Sequence, residues 1–176
     1  MKRLLLLRHA KAVPTSTQGD HGRGLNPRGQ HDAVAMGREM AARGLVPELV
    51  LISSARRTTE TWRLAAPELK AVPAVQASDA LYLAPPRAIL ALLREQGGSA
   101  GTVMVVGHNP GLEEFTAELL GPAFRRGEEK LRDALEEKFP TAALAVLDCD
   151  IAGWQDLKRG TATLAEFLKP RDLDDQ

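Results

Sequence analysis

The sequence holds little that would staple, anchor or steer it. Of 176 residues only Cys149 is a cysteine, so no internal disulfide can form. A lone thiol fits a reducing compartment and reads as a small packed side chain. No CxxC or HExxH spacing occurs, and no metal site is expected. No apolar run approaches the roughly 20 residues of a membrane span. The run at residues 4–7 is also shorter than the roughly 7 to 15 residues of a signal-peptide core. Arg8, His9 and Lys11 interrupt it at once, so a cytoplasmic location is expected. Net charge is missing as well: 23 Lys and Arg balance 23 Asp and Glu. The whole molecule then has no basic field to draw nucleic acid or anionic lipid, and any anion site must be local.

What is present describes an ordinary folded chain. Apolar residues make up 44% and charged residues 26%, close to the soluble globular average. At this length a chain buries most of its apolar surface without help, and residues 1–176 are expected to form one domain. Three short aliphatic runs, at residues 4–7, 49–52 and 103–106, read as strands buried on both faces. Residues 142–147 form a fourth apolar run, and residues 161–168 alternate like a half-exposed strand ended by Pro170. A further short strand around residues 72–75 is pushed to a sheet edge by Pro73.

Helices fall between these runs. Asn26 followed by Pro27 is a start signal for a helix that runs to about Arg43 and stops at Gly44. A helical pattern covers residues 58–66, and Pro85–Pro86 open another that ends at Gly97 and Gly98. Asn109 as cap and Pro110 in the first turn open a fourth helix with Leu112, Phe115 and Leu119 inward. Residues 13–24 lack any period and read as an exposed loop. Residues 125–138 are strongly charged and read as a solvated helix or lid. Strands alternating with helices predict an α/β fold, three layers in α/β/α order around a mostly parallel sheet.

Chemistry concentrates where the strands end. The first run ends in Arg8 and His9, the second leads through Ser53 and Ser54 to Arg56 and Arg57, and the third ends in His108. Ligands of open α/β sheets lie at the carboxyl ends of the strands. If these ends converge, arginines and imidazoles together would suit the oxygens of a phosphate. A neutral imidazole could then attack phosphorus while arginines neutralise the transition state, work that magnesium does in many other phosphoryl-transfer enzymes.

Three motifs in order carry a family resemblance: LLRHA at residues 6–10, SSARRTTET from Ser53 and VVGHNPG from Val105. They resemble the histidine phosphatase superfamily, with its phosphoglycerate mutase-like fold, and more narrowly its SixA-type phosphohistidine phosphatase branch. The resemblance implies a metal-independent, cofactor-free phosphatase. By position, His9 matches the nucleophile that becomes phosphorylated, and Arg8 and Arg57 match the phosphate-clamping arginines. His108 matches the second pocket histidine. Arg23, in an RxLxxxG-like stretch with Leu25 and Gly29, matches an arginine at the pocket mouth, although a surface pairing with Asp20 would explain it equally.

Two departures bear on substrate. Ala10 stands where the first motif usually has glycine, and no carboxylate sits in a recognisable general-acid motif, Asp79 and Glu113 being the candidates. An imidazole leaving group needs less protonation than an alkoxide, which favours phosphohistidine on a partner protein as the substrate. The alternatives are a phosphatase or mutase for a small phosphoester, and a phosphate-binding module without catalysis.

Overall fold

The structure, a computed structural model, describes residues 1–121, 133 and 138–174. The charged stretch expected as a lid at residues 125–138 lies outside the described residues except for Asp133 and Lys138. Six strands form one sheet: β1 (Lys2–Arg8), β2 (Leu49–Ser53), β3 (Ala74–Ser78), β4 (Thr102–Gly107), β5 (Leu144–Cys149) and β6 (Ala162–Leu168), in the spatial order β3-β2-β4-β1-β5-β6. The first four in that order run parallel, while β5 is antiparallel to both β1 and β6. Helices α1 (Pro27–Ala42), α2 (Arg56–Ala65), α3 (Pro86–Gln96), α4 (Gly111–Leu120) and the short α5 (Pro170–Asp174) cover the sheet.

The unbroken leucines of β1 follow from burial on both faces, since successive strand side chains point to opposite sides. Leu4 and Leu6 pack with Val103 and Val105 against Leu93 of α3 and Leu112 and Phe115 of α4. Leu5 and Leu7 pack with Met104 and Val106 against Met36 and Met40 of α1 and Trp62 of α2. The fold is therefore the expected three-layer α/β/α arrangement.

Register then sets up the site. Arg8 is opposite Gly107 across the β1–β4 pair, and Ile52 is opposite Val106 across β2–β4. The carboxyl ends of the three central strands are thereby level, and the residues just beyond them meet at one edge of the sheet.

Local signals set α1: the Asn26 side chain accepts a hydrogen bond from Gly29 N–H at 2.8 Å, and Pro27 occupies the first turn. Elsewhere the chain differs from expectation. Strand β3 is outermost but begins after Pro73, with Ala74 N–H bonded to the Glu48 carbonyl at 3.1 Å; proline has no N–H for such a bond. Asn109 does not cap α4. Its amide donates to the Phe139 carbonyl at 3.0 Å, and Pro110 takes the cap position. A tertiary partner has outcompeted the local cap. Helix α2 opens two residues earlier than expected and so carries Arg56 and Arg57 in its first turn. Pro170 ends β6 and also opens α5, where its fixed φ suits a first helical position.

Candidate active site

The turn that leaves β1 is pinned on several sides. His9 N–H bonds to the Gly107 carbonyl at 3.1 Å, and Ala142 N–H reaches the carbonyls of Arg8 and His9. Ala10 N–H donates to the Thr61 hydroxyl at 2.9 Å, which itself donates to the Arg57 carbonyl at 2.7 Å. One threonine thus ties the His9 turn to the helix that carries Arg57.

That turn fixes the protons of His9. Its Nδ1 lies 2.7 Å from the Ala10 carbonyl, and a carbonyl only accepts, so Nδ1 carries the hydrogen and Nε2 presents a lone pair. His9 is 8% exposed. Burial, reinforced by the charges of Arg57, Arg8 and Arg23, lowers its pKa to about 4. A neutral imidazole with an unprotonated Nε2 is a nucleophile at physiological pH.

His108 lies with its ring centroid 5.4 Å from that of His9. Its Nε2 is 2.8 Å from the Ser53 hydroxyl, and burial followed by the proximity of His9 and Arg57 lowers its pKa to about 3. Tyr82 stands edge-on to His108 at 5.6 Å, and the Arg57 guanidinium lies 5.9 Å from the Tyr82 ring centre.

The two arginines of the α2 motif separate cleanly. Arg57 is 3% exposed, whereas Arg56 points outward and pairs with Glu60 at 2.5 Å. Arg57 donates to the Asp20 carbonyl at 2.8 Å and to the Asp20 carboxylate at 3.1 Å. Arg23 reaches the same carboxylate at 2.8 Å and the Val13 carbonyl at 2.8 Å. Tyr82 donates its hydroxyl to Asp20 as well. These hydrogen bonds, Tyr82 first and Arg23 next, hold the Asp20 carboxyl well below the usual carboxylate range. The loop at residues 13–24 is thus a wall of the crevice, and Arg23 both pairs with Asp20 and contributes charge at His9.

Arg8 donates to the Phe139 carbonyl at 3.0 Å; its pKa is lowered by burial, then raised by Glu113 and lowered by Arg57. Three buried side-chain polar atoms among the described residues have no hydrogen-bond partner: Arg8 Nε, His108 Nδ1 and Asn109 Oδ1. Buried polar atoms are normally paired, and these three belong to the residues at the ends of β1 and β4. Neither general-acid candidate hydrogen-bonds to His9 or His108 among the described residues. Asp79 accepts from Ser54 at 2.5 Å on the exposed side, and Glu113 is half-buried within electrostatic reach of Arg8.

The family model of the histidine phosphatase superfamily (branch 1) matches residues 4–81. The crystal structure of a candidate phosphohistidine phosphatase SixA from Agrobacterium tumefaciens is 32% identical, with a TM-score of 0.78 over 96% of this chain and 98% of that one. The chain belongs to the histidine phosphatase superfamily. Within it the fold and identity place it in the SixA-like branch, and it is a phosphatase. A protein of Mycobacterium tuberculosis strain H37Rv is 34% identical over 166 residues, 94% of this chain and all of that relative. The protein histidine phosphatase SixA bound to tungstate shares the fold at a TM-score of 0.77 and 20% identity, over 97% of this chain and 99% of that one.

Sequence reasoning did not single out Tyr82 or Ser53, and saw Asp20 only as a surface partner of Arg23. Each depends on contacts between distant segments, Asp20 and Tyr82 being 62 positions apart. No local pattern encodes such a pairing.

Proposed function

We propose that this phosphatase removes the phosphoryl group from phosphohistidine on a partner protein, with His9 as nucleophile and Arg8, Arg57 and His108 as the phosphoryl clamp. The observation that carries the reading is the Nδ1–H bond from His9 to the Ala10 carbonyl at 2.7 Å, which leaves Nε2 bare beside a buried arginine. His9 Nε2 attacks phosphorus in line. The P–N bond to the substrate imidazole breaks, its electron pair returns to the leaving nitrogen, and that imidazole leaves neutral because its other nitrogen was protonated. Water then attacks the phosphorus on His9, and inorganic phosphate departs.

The electrostatics of the crevice favour this leaving group. Asp20, the carboxylate bonded to Arg57 and Arg23, is held ionised and has no proton to give. An alkoxide leaving group would call for such a proton, and an imidazole does not. Arg23 at the mouth is assigned to substrate contact. A cytoplasmic setting fits the free thiol of Cys149, and among the described residues no helix is long and apolar enough to cross a membrane.

The test is incubation with a protein carrying labelled phosphohistidine. The wild type is expected to release phosphate and to trap an acid-labile phosphoenzyme, and His9→Ala to form none. Faster turnover of an ordinary sugar phosphate would reassign the substrate to a small phosphoester, and tight phosphate binding without turnover would leave only a binding module.

A further inference from the structure

The proton inventory around His108 is incomplete until Ser53 is counted. Ser53 is the last residue of β2 and is fully buried. Among the described residues its hydroxyl oxygen has two neighbours: His108 Nε2 at 2.8 Å and the Ala55 N–H at 3.3 Å, which can only donate. A hydroxyl has one hydrogen to give and two lone pairs to accept with. Two arrangements follow. In one, His108 Nε2–H donates to Ser53; the hydroxyl hydrogen then has no acceptor among the described residues, and Nδ1 is a bare, buried lone pair. In the other, the Ser53 hydroxyl donates to Nε2 while accepting from Ala55 N–H, and His108 carries its hydrogen on Nδ1.

The first arrangement leaves two groups unpaired in the interior, the Ser53 O–H and the Nδ1 lone pair, and would turn that lone pair toward any phosphoryl oxygen that met Nδ1. The second satisfies Ser53 completely. Its one open group is the Nδ1–H, on the only ring nitrogen that Ser53 does not occupy. We propose that Ser53 is a positioning residue that fixes His108 as the Nδ1–H tautomer, so that the ring donates to a phosphoryl oxygen bound at His9. The level ends of β2 and β4 supply the geometry, since Ile52 and Val106 are in register and Ser53 and His108 follow within two residues of them.

The inference rests on the clamp role proposed for His108, but its first readout needs no turnover. Long-range proton–nitrogen correlation spectra of the full chain labelled with 15N-histidine report the tautomer directly; the His108 signals are identified by their loss in His108→Gln. At neutral pH His108 is expected to show a protonated Nδ1 and an unprotonated Nε2. The opposite tautomer in the wild type overturns the proposal without bearing on the substrate. In Ser53→Ala the tautomer is expected to be lost, and kcat to fall about tenfold or more with KM changing less, as when an oxyanion donor is misplaced. Ser53→Thr, which keeps the hydroxyl, is expected to restore both. A Ser53→Ala protein with the wild-type tautomer and wild-type kcat would also overturn it. Absence of phosphohistidine turnover in the wild type would instead remove the proposed substrate and leave the tautomer test standing.

Discussion

Asp20 puts a negative charge inside the cluster proposed to bind phosphate, and two consequences can be separated at the level of single residues. Its backbone carbonyl holds Arg57 at 2.8 Å whatever the side chain is. The carboxylate therefore adds charge more than support. Two like charges about 6 Å apart cost about 0.7 kcal/mol in well-solvated surroundings, and the Asp20 side chain is 46% exposed. Asp20→Asn is accordingly expected to lower the inhibition constant of inorganic phosphate roughly threefold, measured by competition in steady-state assays; weaker phosphate binding would make the carboxylate a support for Arg57 instead. The neighbouring arginines give a sharper contrast. Arg57→Ala is expected to cut kcat/KM by about 100-fold or more, because the proposed clamp would lose its buried donor to the transferring phosphoryl group. Arg56→Ala, whose side chain faces Glu60, is expected to stay within about twofold.

At the level of elements, α1 offers the cleanest test of local coding. The bond from Gly29 N–H to Asn26 at 2.8 Å is a side-chain cap, and Asn26→Ala is expected to destabilise the fold by about 1 kcal/mol in urea unfolding. Gly29→Ala should cost more, since a Cβ there would lie 2.1 Å from the Lys11 carbonyl oxygen. Helix α1 was legible because its signals lie within a few residues of one another. The three central strands were legible because burial on both faces leaves an unbroken aliphatic run, and level strand ends made Arg8, His9 and His108 readable as neighbours. Where tertiary contacts decided the outcome, the pattern gave no warning. Asn109 looks like a cap until Phe139, 30 positions away, claims its amide. The wall formed by Asp20 and Tyr82 exists only once the loop at residues 13–24 folds across the sheet end, so its residues looked like surface polar groups.

For the molecule as a whole, balanced charge hides an uneven distribution. Arg8, Arg23 and Arg57 all bear on His9, and the fold keeps His9 and His108 uncharged among them. This arrangement has a consequence for stability. An unfolded histidine titrates near pH 6.5, whereas folding lowers His9 to about 4 and His108 to about 3, with burial the first cause in both. Above pH 6.5 neither state is protonated, and the two groups add no pH dependence. As pH falls below 6.5 the unfolded chain takes up two protons that the folded protein refuses, so stability falls with pH until the folded pKa values are reached. A tenfold difference in proton affinity between the two states corresponds to about 1.4 kcal/mol, so His9 alone accounts for a loss of about 3 kcal/mol between neutrality and pH 4. Urea midpoints measured at pH 7, 6 and 5 are expected to decrease progressively. In His9→Gln the decrease should be about half as steep, because one of the two non-titrating imidazoles is gone, and an unchanged slope in that variant would show that His9 titrates in the folded protein as it does in the unfolded chain, contrary to its lowered pKa.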